Sequence, residues 1–267
     1  MSPSEFGVTA PPKRVVVTGA GGGIGAALAR RFAADGARVV VNDLNAEAAH
    51  AVAGEIGGIA VPGDAAREED VQRLIDTAWT ELGGIDLFCS NAGVLSAGDE
   101  TTPDEQWQRD FGVNVMSHVY VTRALLPRWL DTGEPKRLLL TVSAAGLLTL
   151  LGSATYSVTK HAALAYAEWL RATYAHRGLI VQALCPQGVR TDMLTRGDEG
   201  GSGAASLLAE GALDPSAVAD VVAGALAGTG FLILPHPEVE GYYRLRADDP
   251  DRWLGGMNKL QRGFETK

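Results

Sequence analysis

Seven short runs rich in Val, Ile and Leu punctuate the chain: Arg14–Thr18, Arg38–Asn42, Gly58–Val61, Ile85–Cys89, Arg137–Val142, Leu179–Leu184 and Phe231–Leu234. Most are continuous apolar stretches rather than alternations, the pattern of strands covered on both faces within a parallel sheet. The segments between them switch to helical spacing. Ile24, Leu28 and Phe32 recur every fourth residue, and Val71, Leu74, Ile75 and Trp79 make a second apolar stripe. Thr102-Pro103-Asp104-Glu105 combines a capping box with a proline at the first helical position, so a helix is expected to start there. Asp214-Pro215 opens what reads as the last regular helix in the same way. Strand, helix, strand repeated with short connections predicts an α/β doubly wound sheet of about seven parallel strands with helices on both faces.

No linker or shift of composition divides the chain, so a single domain is expected over residues 13–267, preceded by a flexible extension of residues 1–12 rich in Pro and Ser. Two segments leave the alternation. Gly197–Gly203 is charged and glycine-rich and reads as a mobile loop, part of an expected substrate loop at about residues 190–213. Beyond Leu234 the chain turns Pro- and charge-rich with Tyr242, Tyr243 and Trp253 interleaved. That tail, residues 235–267, is expected either to cover a site, to dock on another subunit, or to pack on its own domain.

Length and charge narrow the function classes. A chain of 267 residues, 46% hydrophobic and 21% charged, has ample material for one large core. Twenty-three basic against 32 acidic side chains give a net charge of −9, with no basic run, which argues against a nucleic-acid partner. No stretch of 18 apolar residues offers a membrane span. Cys89 and Cys185, the two cysteines, end apolar runs and read as reduced core residues, so a cytoplasmic protein is expected. The five histidines form no ligand cluster, and no metal is expected.

Candidate chemistry gathers at the carboxyl ends of the expected strands. Thr18-Gly19-Ala20-Gly21-Gly22-Gly23-Ile24-Gly25 follows the first strand and runs into the Ile24/Leu28/Phe32 helix. Glycines there permit a tight turn and let backbone N–H groups at a helix N-terminus approach a pyrophosphate. Eighteen residues past Gly25, at the tip of the second strand, stands Asp43. A carboxylate there accepts hydrogen bonds from ribose hydroxyls and repels a 2′-phosphate. Leu44 follows it, and Gly19–Gly25 holds no basic side chain, so NAD is favoured over NADP. Asp64 and Ala65 after the third strand and Asn91-Ala92-Gly93 after the fourth lie where ligands sit in such sheets, although each could equally be a strand-ending turn.

After the fifth strand comes Ser143, and thirteen residues later Tyr156, with Lys160 four further on. A helix opening near Thr155 would place Tyr156 and Lys160 one turn apart on one face. An unperturbed phenol has a pKa near ~10. A neighbouring ammonium favours the phenolate, and a serine hydroxyl can hold the oxygen whose proton the tyrosine exchanges.

Together these residues resemble the classical short-chain dehydrogenase/reductase family over nearly the whole chain, from Arg14 to Leu234. Thr18, Gly19, Gly23 and Gly25 match the family's glycine loop; Asn91-Ala92-Gly93 matches its Asn-Ala-Gly element, with Ser90 in place of the usual asparagine. Asn114 is similar to the family's helix asparagine, and Ser143, Tyr156 and Lys160 to its catalytic serine, tyrosine and lysine. The resemblance implies a single-domain Rossmann-type fold and hydride transfer between nicotinamide and a carbinol carbon. It implies that Tyr156 takes the hydroxyl proton, Ser143 bonds the substrate oxygen, and Lys160 holds the nicotinamide ribose and lowers the Tyr156 pKa. Asn114 is implied to free a backbone group for a water linking Lys160 to solvent. Gly22 and Ile24 belong to the implied phosphate cradle, and Pro186, Val189 and Thr191 keep the family's places beside the nicotinamide.

One departure stands out: Pro186-Gln187-Gly188-Val189-Arg190-Thr191 carries glutamine where the family has glycine, which puts a polar side chain near the substrate. Leu95, Leu147 and Met193, with Leu148, Leu150, Leu151 and Leu194, suggest an apolar substrate pocket. No cation except Arg190 or Arg196 stands ready for a charged substrate, so an uncharged, hydrophobic secondary alcohol or ketone is expected. The alternatives are an NADP-dependent 3-oxoacyl-type reductase, disfavoured by Asp43 and the net charge, and a nicotinamide-binding sensor that no longer catalyses, disfavoured by the presence of Tyr156 and Lys160. Family members form tetramers or dimers through the helices of Asn114 and Tyr156, and the alanine-rich Tyr156–Tyr174 segment suits such packing.

Overall fold

The computed structural model describes residues 10–130, 134–197, 209 and 211–265, with backbone only at 195–197. Seven parallel strands form one sheet: β1 (Arg14–Val17), β2 (Arg38–Val41), β3 (Ile59–Ala60), β4 (Leu87–Ser90), β5 (Lys136–Thr141), β6 (Leu179–Leu184) and β7 (Leu232–Ile233). Their spatial order is β3-β2-β1-β4-β5-β6-β7. The chain winds outward from β1 to β3, then returns to the other side of β1 as β4. That reversal leaves a crevice beyond the carboxyl ends of β1 and β4.

The pleat divides each strand between two cores. Val15, Val17, Leu87, Cys89 and Leu139 face one layer, built with α1 (Gly23–Ala34), α2 (Ala46–Ile56) and Val218 and Val222 of a later helix. Val16, Phe88, Leu138 and Leu140 face the other, with α3 (Glu68–Leu82) and the helices that follow it. Each aliphatic or aromatic side chain withdrawn from water contributes about 1.5–3 kcal/mol. Two-sided burial therefore explains why the runs carry no polar alternation. Cys89 and Cys185 are both buried free thiols.

Beyond β4 the chain makes α4 (Asp104–Phe111), a π-turn (Gly112–Met116) and α5 (Ser117–Leu130), then after β5 a short α6 (Ala144–Leu147) and the long α7 (Ala154–Tyr174). The helix expected at Thr102-Pro103 forms, with a different start. Pro103 is the N-cap, at φ −59° and ψ 147°, and not the first helical residue. The Thr102 hydroxyl donates to the Asp99 carbonyl at 2.8 Å and caps nothing, so acidic Asp104 and Glu105 serve the helix N-terminus instead.

After β6 come α8 (Asp192–Gly197) and α9 (Pro215–Ala225), with Pro215 at the first turn as expected. Asp214-Pro215 does not open the last regular helix. The tail folds into α10 (Glu238–Asp248) and α11 (Pro250–Glu265). It packs on its own domain: Val239 is fully buried, Tyr243 and Trp253 pack against the sheet core, and the Arg246 guanidinium donates to the Leu147 carbonyl at 2.5 Å. The expected N-terminal extension through residue 9 and most of the expected loop at Gly197–Gly203 lie outside the described residues. Among the described residues no helix is long and apolar enough to cross a membrane.

Candidate active site

The crevice between β1 and β4 opens into a cleft of about 1040 Å³. Its floor is the turn from β1 into α1. Gly19, at φ +61°, could not carry a side chain: a Cβ there would lie 2.9 Å from the Ala92 Cα. A Cβ on Gly25 would lie 2.1 Å from the Gly19 carbonyl oxygen. Gly22, the N-cap of α1, has open space where a side chain would be, so the helix N-terminus presents bare backbone to the cleft. Gly23 and Ile24 line the same wall. A cradle of this shape fits an anionic diphosphate. Thr18 fixes its other side, its hydroxyl oxygen accepting from the Asn91 and Ala92 N–H groups at 3.0 and 3.1 Å.

Asp43 closes one end. Its carboxylate accepts from the Gly21 and Asn45 N–H groups, both at 2.9 Å, which fixes it at the tip of β2 against the glycine turn. Arg30 and Arg31 also line the cleft. Neither is a free cation: Arg30 pairs with Glu55 at 2.8 Å, and Arg31 with Asp220 and Asp35.

At the other end stand the expected polar groups. Ser143, Tyr156 and Lys160 all line the cleft. Ser143 caps α6, its Oγ accepting from the Ala145 N–H at 3.1 Å while its hydroxyl makes a long contact of 3.5 Å to the Pro186 carbonyl. Lys160, buried, donates to the Thr141 carbonyl at 3.0 Å, and its Nζ lies 5.5 Å from the centre of the Tyr156 ring. Burial brings the Lys160 ammonium down to about 8. The expected depression of the Tyr156 pKa by Lys160 is reversed in this state. Burial pushes the phenol above its ordinary value, and the lowering influence is the hydrogen bond with Ser143.

Asn114 does not line the cleft. It sits fully buried in the π-turn, which interrupts the regular helical ladder around it. Its Oδ1 accepts from the Val94 N–H at 2.9 Å, while Nδ2 donates to the Val94 carbonyl at 3.0 Å and the Thr159 hydroxyl at 3.1 Å. It thereby ties the loop after β4 to the turn of α7 that carries Lys160. Gly93 makes that approach possible: a Cβ there would lie 3.2 Å from Asn114 Oδ1 and 3.3 Å from Lys160 Nζ.

Pro186, Gln187, Val189 and Thr191 complete the wall, and apolar Leu95, Leu150, Met193 and Leu194 line the same cleft as Ser143 and Tyr156. Not every expected residue lines the cleft. Leu147 is 1% exposed and belongs to the core, because the short α6 turns it under the sheet end, so it is no substrate residue. Leu44, Asp64 and Ala65 are not in the cleft wall. Leu44 is 74% exposed, Ala65 is buried, and the Asp64 carboxylate closes a local turn by accepting from the Ala66 N–H at 2.8 Å. Sequence reading missed Thr141, whose carbonyl holds Lys160 and whose hydroxyl donates to Asn91 Oδ1 at 2.9 Å. Its signal was its place at the carboxyl end of the fifth apolar run. Arg190 is paired with Asp214 at 2.8 Å and is not free for a charged substrate; the side chain of Arg196 lies outside the described residues.

The comparisons agree with this geometry. The family model described as short chain dehydrogenase matches residues 13–200. The chain is 39% identical to 1-deoxy-11-beta-hydroxypentalenate dehydrogenase of Streptomyces exfoliatus over 90% of its own length and 88% of the relative's. It is 33% identical to 2,5-dichloro-2,5-cyclohexadiene-1,4-diol dehydrogenase of Sphingobium indicum over 72% of this chain and 78% of that one. A crystal structure of a short chain dehydrogenase/reductase from Burkholderia phymatum in complex with NAD superposes with a TM-score of 0.83 at 28% identity, covering 89% of this chain and 93% of that one. This chain, a seven-stranded doubly wound domain with a serine, a tyrosine and a lysine facing its glycine turn, belongs to the short-chain dehydrogenase/reductase family of oxidoreductases.

Proposed function

We propose that the protein is an NAD-dependent dehydrogenase that interconverts a hydrophobic secondary alcohol and its ketone. The observation that carries this reading is the placement of Ser143, Tyr156 and Lys160 around one cleft, facing the bare N-terminus of α1. Bound nicotinamide would supply the hydride acceptor or donor. Gly19, Gly22, Gly23, Ile24 and Gly25 would hold the diphosphate, Asn91, Ala92 and Gly93 the middle of the dinucleotide, and Pro186, Val189 and Thr191 the nicotinamide end. Tyr156 takes the proton from the substrate hydroxyl in oxidation and returns it in reduction. Ser143, its acceptor side held by Ala145, donates to the substrate oxygen. Lys160 supplies positive charge beside the phenol and holds the nicotinamide ribose, and the π-turn at Asn114 supports a water path from Lys160 to solvent.

The choice of NAD rests on Asp43, held at the β2 tip, and on the engagement of Arg30 and Arg31 with carboxylates, which leaves neither for a 2′-phosphate. Leu95, Leu150, Met193 and Leu194 favour an apolar substrate frame. Both relatives named above carry an alcohol function on a carbon skeleton in their printed names, which supports the same class. Exposed Phe111, Val158 and Trp169 on α4 and α7 support a homo-oligomer, a dimer or tetramer, built through those helices, and the two buried thiols suit a cytoplasmic setting.

A panel of aliphatic, cyclic and steroid alcohols, assayed in parallel with NAD⁺ and NADP⁺ by absorbance of the reduced cofactor, tests the reading. Turnover with NAD⁺ exceeding that with NADP⁺ by at least tenfold is expected for apolar secondary alcohols. Preference for NADP⁺ would overturn the role of Asp43, and no turnover with either would favour a binding-only protein.

A further inference from the structure

His236 lies between two prolines in the connection from β7 to α10, far from the family's catalytic residues in sequence, and is 4% exposed. Its Nδ1 accepts a hydrogen bond from the backbone N–H of Gln187 at 3.1 Å. A ring nitrogen that accepts carries no proton, so the imidazole proton resides on Nε2, which is buried with no hydrogen-bond partner among the described residues. The Gln187 N–H thus holds the ring in one tautomer.

The peptide group between Pro186 and Gln187 is engaged on both sides. Its carbonyl accepts from the Ala144 N–H at 2.8 Å and lies 3.5 Å from Ser143 Oγ. Its N–H meets His236. In a trans peptide these two groups point in opposite directions. His236 on one side and the Ser143–Ala144 turn on the other therefore fix the plane. Where the family has glycine at this position, the backbone has greater freedom to rotate; here a glutamine occupies it, with a histidine anchoring its N–H. Gln187, half-buried, lines the same cleft as Ser143 and Tyr156, and the carbonyl that precedes it meets the Ser143–Ala144 turn. No hydrogen bond to a described residue engages its carboxamide. It adds a donor and an acceptor to a substrate side otherwise walled by Leu95, Leu150, Met193 and Leu194.

We infer that His236 is a positioning residue that locks the Pro186–Gln187 peptide so that the Gln187 carboxamide reads a second oxygen on the substrate, close to the reacting carbinol. The preferred substrates are then bifunctional: a hydrophobic skeleton bearing the alcohol to be oxidised and, one or two carbons away, a hydroxyl or carbonyl. This rests on the dehydrogenase reading above. A site built to bond an oxygen rejects the analogue that lacks it, because the polar group is left unpaired on binding.

The experiment compares kcat/KM for 2-butanol with meso-2,3-butanediol, and for cyclohexanol with cis-1,2-cyclohexanediol, in the wild-type enzyme and in Gln187→Leu, His236→Asn and His236→Gln. Asparagine offers Oδ1 where the histidine has Nδ1, whereas glutamine carries its carboxamide one bond further out. The wild type is expected to prefer at least one diol over its mono-alcohol. That preference should fall about tenfold in Q187L and H236Q and survive within about threefold in H236N, with thermal midpoints recorded for each. A preference identical in all four proteins, or one that H236N and H236Q lower equally, would overturn the inference while leaving the dehydrogenase intact. Should either histidine variant fail to fold, an unchanged preference in Q187L overturns it alone. Absence of turnover by the wild type on any alcohol overturns the dehydrogenase reading and this inference with it.

Discussion

Lys160 is an ammonium surrounded by protein rather than water, and its burial carries a measurable signature. Its pKa falls from the ordinary 10.5 to about 8. Between those values the unfolded chain binds more protons than the folded one, so stability rises with pH across that window. Lys160→Met removes this gain together with the charge. Thermal midpoints of wild type and K160M are expected to differ by an amount that moves in favour of wild type from pH 7 to pH 10; a constant difference would show that the amine is not desolvated. Tyr156 acts in the opposite sense on stability, since burial lifts its phenol and the folded chain keeps that proton where the unfolded chain has lost it; because the phenolate is the base, alcohol oxidation is expected to speed up with rising pH. At this scale the sequence was informative wherever chemistry depends on local spacing. Ser143, Tyr156, Lys160 and Asp43 all lie where spacing placed them. It was uninformative for Leu147, whose short helix turns it into the core, and for Asp64, whose carboxylate closes its own turn. Those outcomes depend on which way a loop bends, and apolar or acidic character alone does not encode that.

Among the elements, the turn from β1 into α1 tolerates the least change. A Cβ at Gly25 would meet the Gly19 carbonyl oxygen at 2.1 Å, a contact that only movement of the main chain can relieve. Gly25→Ala is expected to cost about 1–3 kcal/mol of stability and to weaken NADH binding at least tenfold, read by denaturant unfolding and by fluorescence titration. Unchanged binding would mean that the turn does not hold the diphosphate. All seven strands were legible, because two-sided burial writes an unbroken apolar run. Their ends were less so: β3 and β7 shrink to two residues each, where pairing with a single neighbour runs out. The terminal helices were not legible. Gly255, Gly256 and Gly263 weaken any local preference in α11, and the tail is fixed by tertiary contacts of Val239, Tyr243 and Trp253 with the core. The pairing of His236 with Gln187 bridges 49 residues and leaves no periodic trace in the chain.

In the whole molecule, the winding reversal at β1 and β4 brings together residues from distant parts of the sequence. Asp43 and the glycine turn close one end of the cleft, and Ser143, Tyr156 and Lys160 close the other, with the loop after β6 between them. This arrangement separates the tasks of holding a dinucleotide and moving a proton, so they can be separated by mutation as well. Tyr156→Phe keeps the ring that packs above Lys160 and deletes only the hydroxyl. General acid–base groups contribute about 10²–10⁴ in rate. The decisive measurement is NADH formation by Y156F on an alcohol that the wild type oxidises, with NADH affinity determined on the same sample. Turnover reduced at least a hundredfold with affinity within about threefold of wild type is the predicted result; turnover close to wild type would show that another group moves the proton.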